Sequence, residues 1–215
     1  MDDAAVSRYW DGNAAAWTQQ VRMGYDLYRE KINNPAMFGL LGDLSGKDVI
    51  DLGCGEGYNT RRLARGAQSV HGVDISDRMI RFARESEHKE PLGIEYQVAS
   101  FSILHPCFAT PELGWLSNEH GEEDRLTVGQ YFARATGVDE WSFTRSPIAA
   151  DHPPFQVPRF HRTLSDYVNP LCRNGFCIEQ IVEPQAAELD FKDYPFLAKW
   201  SRHAALFLHV KAKKR

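Results

Sequence analysis

Residues 47–76 read KDVIDLGCGEGYNTRRLARGAQSVHGVDIS, and the fold follows from how that run divides. The segment DVIDL is a short apolar run directly before Gly53, Gly55 and Gly57, as expected of a parallel strand buried on both faces. Glycines at alternate positions let the backbone turn tightly and approach a ligand at the start of the next helix. That helix is predicted over NTRRLAR, with Gly66 placed to stop it, and SVHGVDI follows as a second strand. Working outward, Ser76 is placed to cap a third helical stretch carrying Met79, Phe82 and Ala83 on one stripe, and IEYQVAS reads as a third strand. Strand, helix, strand, helix, strand is the open α/β pattern, with right-handed crossovers.

A lone glycine pattern says little, but here a strand precedes it, a helix follows, and Asp74 closes the second strand about 20 residues on. An acid at that place accepts hydrogen bonds from both hydroxyls of a ribose. Two residues discriminate between nucleoside cofactors. A dinucleotide fingerprint needs a further glycine where this chain has Tyr58, and Asp51 sets a carboxylate just before the turn, where a pyrophosphate would be repelled. A sulfonium with a free amino group carries no phosphate and is attracted by that charge. S-adenosylmethionine is therefore expected rather than NAD.

VIDLGCGEGYNTRRLA followed by VHGVDIS resembles the class I S-adenosylmethionine-dependent methyltransferases, and among them the small-molecule, generic methyltransferase domains. RYWDGNAAAW, FSILHPCF and VPRFHRTLSDYVNPLCRNGF are similar to segments that such proteins carry before the core, on the fifth strand and before the sixth. The resemblance implies a Rossmann-like sheet with helices on both faces. It implies Gly53, Gly55 and Gly57 along the methionine part of the cofactor, Asp51 near its amino group, Asp74 on the ribose, Ile75 against adenine and Ser100 at the adenine rim. Trp17 and Arg22 are implied as closing over the methionine end, with Arg22 pairing its carboxylate; an amphipathic helix with a surface arginine is the plainer account of the same residues.

Residues 93–108, GIEYQVASFSILHPCF, depart from that family pattern. IEYQVAS matches a third strand and FSILHPCF the interior of a fifth, and nothing matches the fourth. Successive parallel strands need a crossover of a dozen or more residues, and none intervenes. As one strand, residues 94–104 would run about 36 Å, roughly twice the usual length. The loop, strand and helix that should join them are therefore expected to be missing, on the order of 45 to 60 residues by the size of such a unit. Residues 101–104 then continue the third strand past a bulge, or leave the sheet, or the C-terminal unit redocks against the first strand. A regular seven-stranded sheet in order 3-2-1-4-5-7-6 would contradict this.

The 215 residues suit a single domain, divided as a helical cap over 1–45, a cofactor-binding half over 46–100, a fifth-strand remnant and insertion over 101–160, and a C-terminal helix with strands over 161–215. Val6, Tyr9, Trp10, Trp17 and Val21 recur at helical offsets, either as a core face or as a cap over a ligand, and Asn34-Pro35 reads as a helix start. Ser165 is expected to cap DYVNPLCRN, Gly175 to end that helix, and FCIEQIVE and ALFLHVKAK to form strands. Residues 109–160 show no clean period and at most a short strand at DEWSFT.

A net charge of -4 and one basic run at the C-terminus offer no stripe for phosphate backbones, so no nucleic-acid partner is expected. Cys54, Cys107, Cys172 and Cys177 show no CxxC spacing, and no metal site is expected. The acidic start and the lack of an apolar run near the length of a membrane span suggest a soluble cytoplasmic protein.

Methyl transfer is an in-line displacement in which alignment and exclusion of water dominate. His105 and His161 are the candidates for deprotonating an oxygen or nitrogen nucleophile, against the commoner role of a histidine that only holds a loop. DHPPF at 151–155 has His152 where the Asn/Asp-Pro-Pro-aromatic loop of nucleic-acid amino-methyltransferases needs an acid or amide, and that match is rejected. Tyr131, Trp141, Phe143 and Phe155 are candidates for lining a pocket or for packing the insertion onto the core. The expected function is methyl transfer to O or N of a small molecule, with a deletion variant that is impaired or only binds the cofactor as the alternative. An uncovered strand edge adds self-association.

Overall fold

The computed structural model describes residues 1–98, 107, 108, 110–143 and 153–214. Chain packing separates it into two compact units, the first drawn from the described parts of Met1–Leu27, Gly42–Ile103 and Val138–Arg159, the second from Tyr28–Leu41, Leu104–Gly137 and Phe160–Arg215.

The first unit opens with α1 (Asp3–Arg22), where the Asp2 carboxylate accepts the Ala5 N–H as an N-cap. Its center is a parallel sheet of β1 (Asp48–Leu52), β2 (Ser69–Asp74) and β3 (Glu95–Val98), with β2 in the middle. The crossovers are α3 (Tyr58–Ala64) and α4 (Asp77–Lys89). Gly66 follows α3 as the sequence implies, its N–H bonded to Leu63 O at 3.0 Å, and Ser76 caps α4 by accepting the Met79 N–H. Asp51 pairs across from Gly72, and Gly72 from Tyr96. One face of the sheet therefore carries Val70, Gly72, Asp74 and Tyr96, all buried, with Cys54, Ile80, Ala83 and Ile94 completing that core.

Tyr96 lies flat over the space where Gly72 has no side chain. A Cβ on Gly72 would sit 2.6 Å from the tyrosine ring, and one on Gly57 would sit 2.5 Å from its hydroxyl. Glu87 near the end of α4 fixes the entry to β3: one carboxylate oxygen takes the N–H groups of Leu92, Gly93 and Ile94, and the other takes Arg61 at 2.8 Å.

β1 was expected to be buried on both faces, but on the face opposite this core Ile50 is 66% and Leu52 53% exposed, with His71, Glu95 and Gln97 also exposed. Among the described residues β1 pairs with β2 alone, β8 (Phe176–Val182) and β9 (His209–Lys214) pair with each other, and no seven-stranded sheet forms. The expectations for 101–104 lie outside the described residues.

Residues 109–160 hold more strand than their composition suggests, and the expectation of at most one short strand is corrected. β4 (Glu112–Ser117) and β5 (Glu123–Gly129) form an antiparallel hairpin, while β6 (Thr136–Trp141) pairs with β7 (Phe155–Phe160). The hairpin turn is built by Asn118, whose side-chain oxygen accepts the N–H groups of His120 and Glu122, with Gly121 at φ +80°.

In the second unit α2 (Asn34–Leu41) begins at the expected Asn34-Pro35, but Asn34 is itself helical, at φ -61° and ψ -47°, rather than an extended cap. A π-helical turn over Arg29–Asn33 runs straight into it, and its wider backbone accommodates Pro35, which has no N–H to donate. α5 (Leu164–Arg173) is capped by Thr163 in a reciprocal box with Asp166 rather than by Ser165, whose hydroxyl bonds that of Thr163 at 2.9 Å. α6 (Pro195–His203) packs Leu197 with Ile32 and Ala186.

Candidate functional site

Gly53, Gly55 and Gly57 adopt φ of +76°, +56° and +85°, conformations that a side chain would strain. Gly53 and Cys54 both donate their N–H to Val73 O, at 2.7 and 3.0 Å, which folds the turn back over the end of β2. Asp74 stands where the two meet. Its carboxylate accepts the Gly55 N–H at 2.9 Å through one oxygen and the Ser76 N–H at 2.8 Å through the other. Burial raises its pKa above the ordinary carboxylate range, with those backbone N–H bonds opposing.

Asp51 is raised for the same first reason, burial; the Thr60 hydroxyl, donating at 2.6 Å, opposes this, and the charge of Asp74 adds to it. The Cys54 thiol between them is also pushed up, by burial and then by Asp51 and Asp74, so it stays protonated and is no nucleophile. Two carboxylates held out of water around three glycines suit a cationic nucleoside and disfavor a phosphate. The residues present thus fit a sulfonium cofactor.

Trp17 sits in an aromatic cluster with its ring centroid 4.8 Å from Phe143, 5.1 Å from Phe155 and 5.3 Å from Trp10. Tyr58, the residue after the glycine turn, packs against the same cluster, so this cluster reaches the turn. Arg22 is engaged by the protein itself: Nε lies 3.1 Å from a Glu56 carboxylate oxygen, and the terminal nitrogen donates to Ser86 Oγ at 2.8 Å and Phe82 O at 3.2 Å. Ile75 is half-buried beside Asp74. Ser100 and His105 lie outside the described residues.

His161 belongs to the second unit. It is buried, its Nε2 is 2.7 Å from Tyr131 O and its ring stacks edge-on with Tyr131. Tyr131 in turn accepts the Leu164 N–H, so both residues hold the start of α5. Phe143 and Phe155 are buried in the Trp17 cluster, which favors packing over pocket lining.

Three residues matter here that sequence reasoning passed over. Glu56 is only 5% exposed, and its second oxygen accepts the Tyr58 N–H at 3.2 Å. Thr60 anchors Asp51. Asp11, on α1, accepts from Ser76 Oγ at 2.6 Å and from the Arg78 N–H at 3.1 Å, which ties the N-terminal helix to the residue beside Asp74. A carboxylate between two glycines was a visible signal for Glu56; Asp11 lies 65 residues from its partner and gave none.

Residues 49–124 match the family described as a methyltransferase domain. An uncharacterized protein of Haemophilus influenzae is 26% identical over an alignment covering 97% of both chains. That alignment runs over 265 positions against 215 residues here, so at least the difference, 50 positions, faces no residue of this chain. A ubiquinone biosynthesis O-methyltransferase of Coxiella burnetii is 39% identical over 61 residues, which are 28% of this chain and 26% of that protein. Among solved structures, an S-adenosylmethionine-dependent methyltransferase from Mesorhizobium loti superposes with a TM-score of 0.64 at 23% identity, over 84% of this chain and 96% of the other. The matched stretch contains the glycine turn, Asp51 and Asp74, so residues 49–124 of this chain carry a methyltransferase domain.

Proposed function

We propose that the protein transfers a methyl group from S-adenosylmethionine to an oxygen or nitrogen of a small molecule. The observation that carries this is the buried Asp74 carboxylate bonded to the Gly55 N–H, with Asp51 beside it. Asp74 would hold the ribose hydroxyls and Asp51 the amino group. Gly53, Gly55 and Gly57 would run along the methionine part, and Ile75 and Ser100 would flank the adenine. Trp17 would wall the methionine end through its cluster, and Arg22 would join it to the extent that Glu56 releases it. When bound, the cofactor supplies an electrophilic methyl on a sulfonium.

The chain's own part is to hold the nucleoside by its polar edge and to keep the charged end out of water. A base is optional for such a displacement. His105 is the candidate to test first, since His161 would have to leave Tyr131 O before it accepted a proton. Calorimetry with S-adenosylhomocysteine tests the assignment: micromolar binding that Asp74→Asn weakens is expected, and binding of NADH in its place would overturn it.

A second reading has its own support. The exposed Ile50 and Leu52 on β1, together with the 50 or more positions of the Haemophilus influenzae protein that face nothing here, favor a shortened variant that binds the cofactor but transfers poorly. Binding of S-adenosylhomocysteine without methyl consumption in the presence of catechols, phenols and primary amines would select it. The same open strand is where a second copy would associate. No helix among the described residues is long and apolar enough to cross a membrane, which agrees with a cytoplasmic place for the protein.

A further inference from the structure

We infer that Glu56 determines ligand selectivity at the glycine turn, by occupying Arg22 and so withholding its guanidinium from the carboxylate of a bound nucleoside amino acid. This rests on the assignment of the turn to S-adenosylmethionine made above.

Glu56 stands between Gly55 and Gly57, inside the turn itself, and its carboxylate is buried. One oxygen accepts the Tyr58 N–H at 3.2 Å and the other accepts Arg22 Nε at 3.1 Å. Arg22 is partly exposed at the end of α1, and its terminal nitrogen is spent on Ser86 Oγ and Phe82 O of α4. The arginine is thus bound on two sides by groups of this chain. A buried carboxylate cannot be left without its cation at low cost, so Arg22 stays with Glu56 unless a competing anion matches that bond.

The charges consequently sum in a definite way. Arg22 and Glu56 cancel, and the charge that a ligand meets at the turn is that of Asp51 and Asp74. Selection then acts on the cationic end of the ligand, its sulfonium and amino group, and little on its carboxylate.

The test compares S-adenosylhomocysteine with 5′-methylthioadenosine, which shares the nucleoside and thioether but lacks the amino-acid end. Affinities are measured by calorimetry on the full chain, native and as Glu56→Gln and Arg22→Gln/Glu56→Gln, with circular dichroism as the check on folding. Freeing Arg22 by Glu56→Gln should raise the preference for S-adenosylhomocysteine over methylthioadenosine about tenfold, the scale of one charge-assisted bond gained. Replacing both residues should return the preference to the native value, because a neutral pair stands in for a cancelling one.

An unchanged preference in Glu56→Gln overturns the inference, as does a tenfold fall in the double variant, which would mean that Arg22 already serves the ligand carboxylate in the native protein. If Glu56→Gln does not fold, Glu56→Ala, which also frees Arg22, takes its place with the same two outcomes. Native protein that binds both nucleosides while Glu56→Gln changes nothing leaves the cofactor assignment standing and removes only the role of Glu56. Native protein that binds neither removes both.

Discussion

The two faces of the three-stranded sheet have opposite fates. On the face toward α3 and α4, Val70, Gly72, Asp74 and Tyr96 are buried, with only Val98 at the end of β3 exposed among the described strand residues of that face. On the other face β2 and β3 expose His71, Glu95 and Gln97, residues content in water, with Val73 half-buried, whereas β1 exposes Ile50 and Leu52. A parallel sheet is ordinarily covered on both sides. Among the described residues β1 is thus the strand whose apolar side chains stand exposed on that face, and the deficit lies away from the face that builds the site.

That contrast can be broken from the closed side first. Gly72→Val should cost about 3 kcal/mol in urea unfolding, because the new side chain meets the Tyr96 ring with nowhere to go. Next, Val70→Ala should cost about 2 kcal/mol, since Val70 is 2% exposed, while the larger truncation Ile50→Ala should cost within about 0.5 kcal/mol. Equal losses at the two positions would mean that the open face is covered in solution.

Asp51→Asn sharpens the comparison from the ligand's side. A carboxyl whose pKa is raised on folding costs stability once ionized: its contribution is most favorable below the ordinary carboxylate value and is lost as pH rises through the raised one. The asparagine variant should therefore be more stable than the native protein at neutral pH, with the gap closing as pH falls to the ordinary carboxylate range. Its affinity for S-adenosylhomocysteine should drop about tenfold. The smallest change in stability, within about 0.5 kcal/mol, is expected for Ile50→Lys with Leu52→Lys, which should instead abolish any dimer seen by light scattering.

The closed face was legible in the sequence because its signals are local. The strand before the glycines, Gly66 after α3, Ser76 as a cap and Asp74 at the end of β2 each depend on neighbors within a few residues. Contacts made over long separations could not be read. Asp11 to Ser76, Arg22 to Glu56 and Trp17 to Phe143 and Phe155 join segments that share no periodicity. The β4–β5 hairpin was missed for another reason: its turn uses an asparagine side chain in place of a two-residue glycine turn, and its strands mix acids with tryptophan and leucine.

The phenol of Tyr96 rests against the same glycine that begins α3. Gly57 is thus answerable to the hydrophobic interior as well as to whatever nucleoside the loop receives. A screen that replaced the three glycines in turn and scored catalysis would find position 57 the most sensitive, and would credit to ligand contact what belongs to the fit of one aromatic ring.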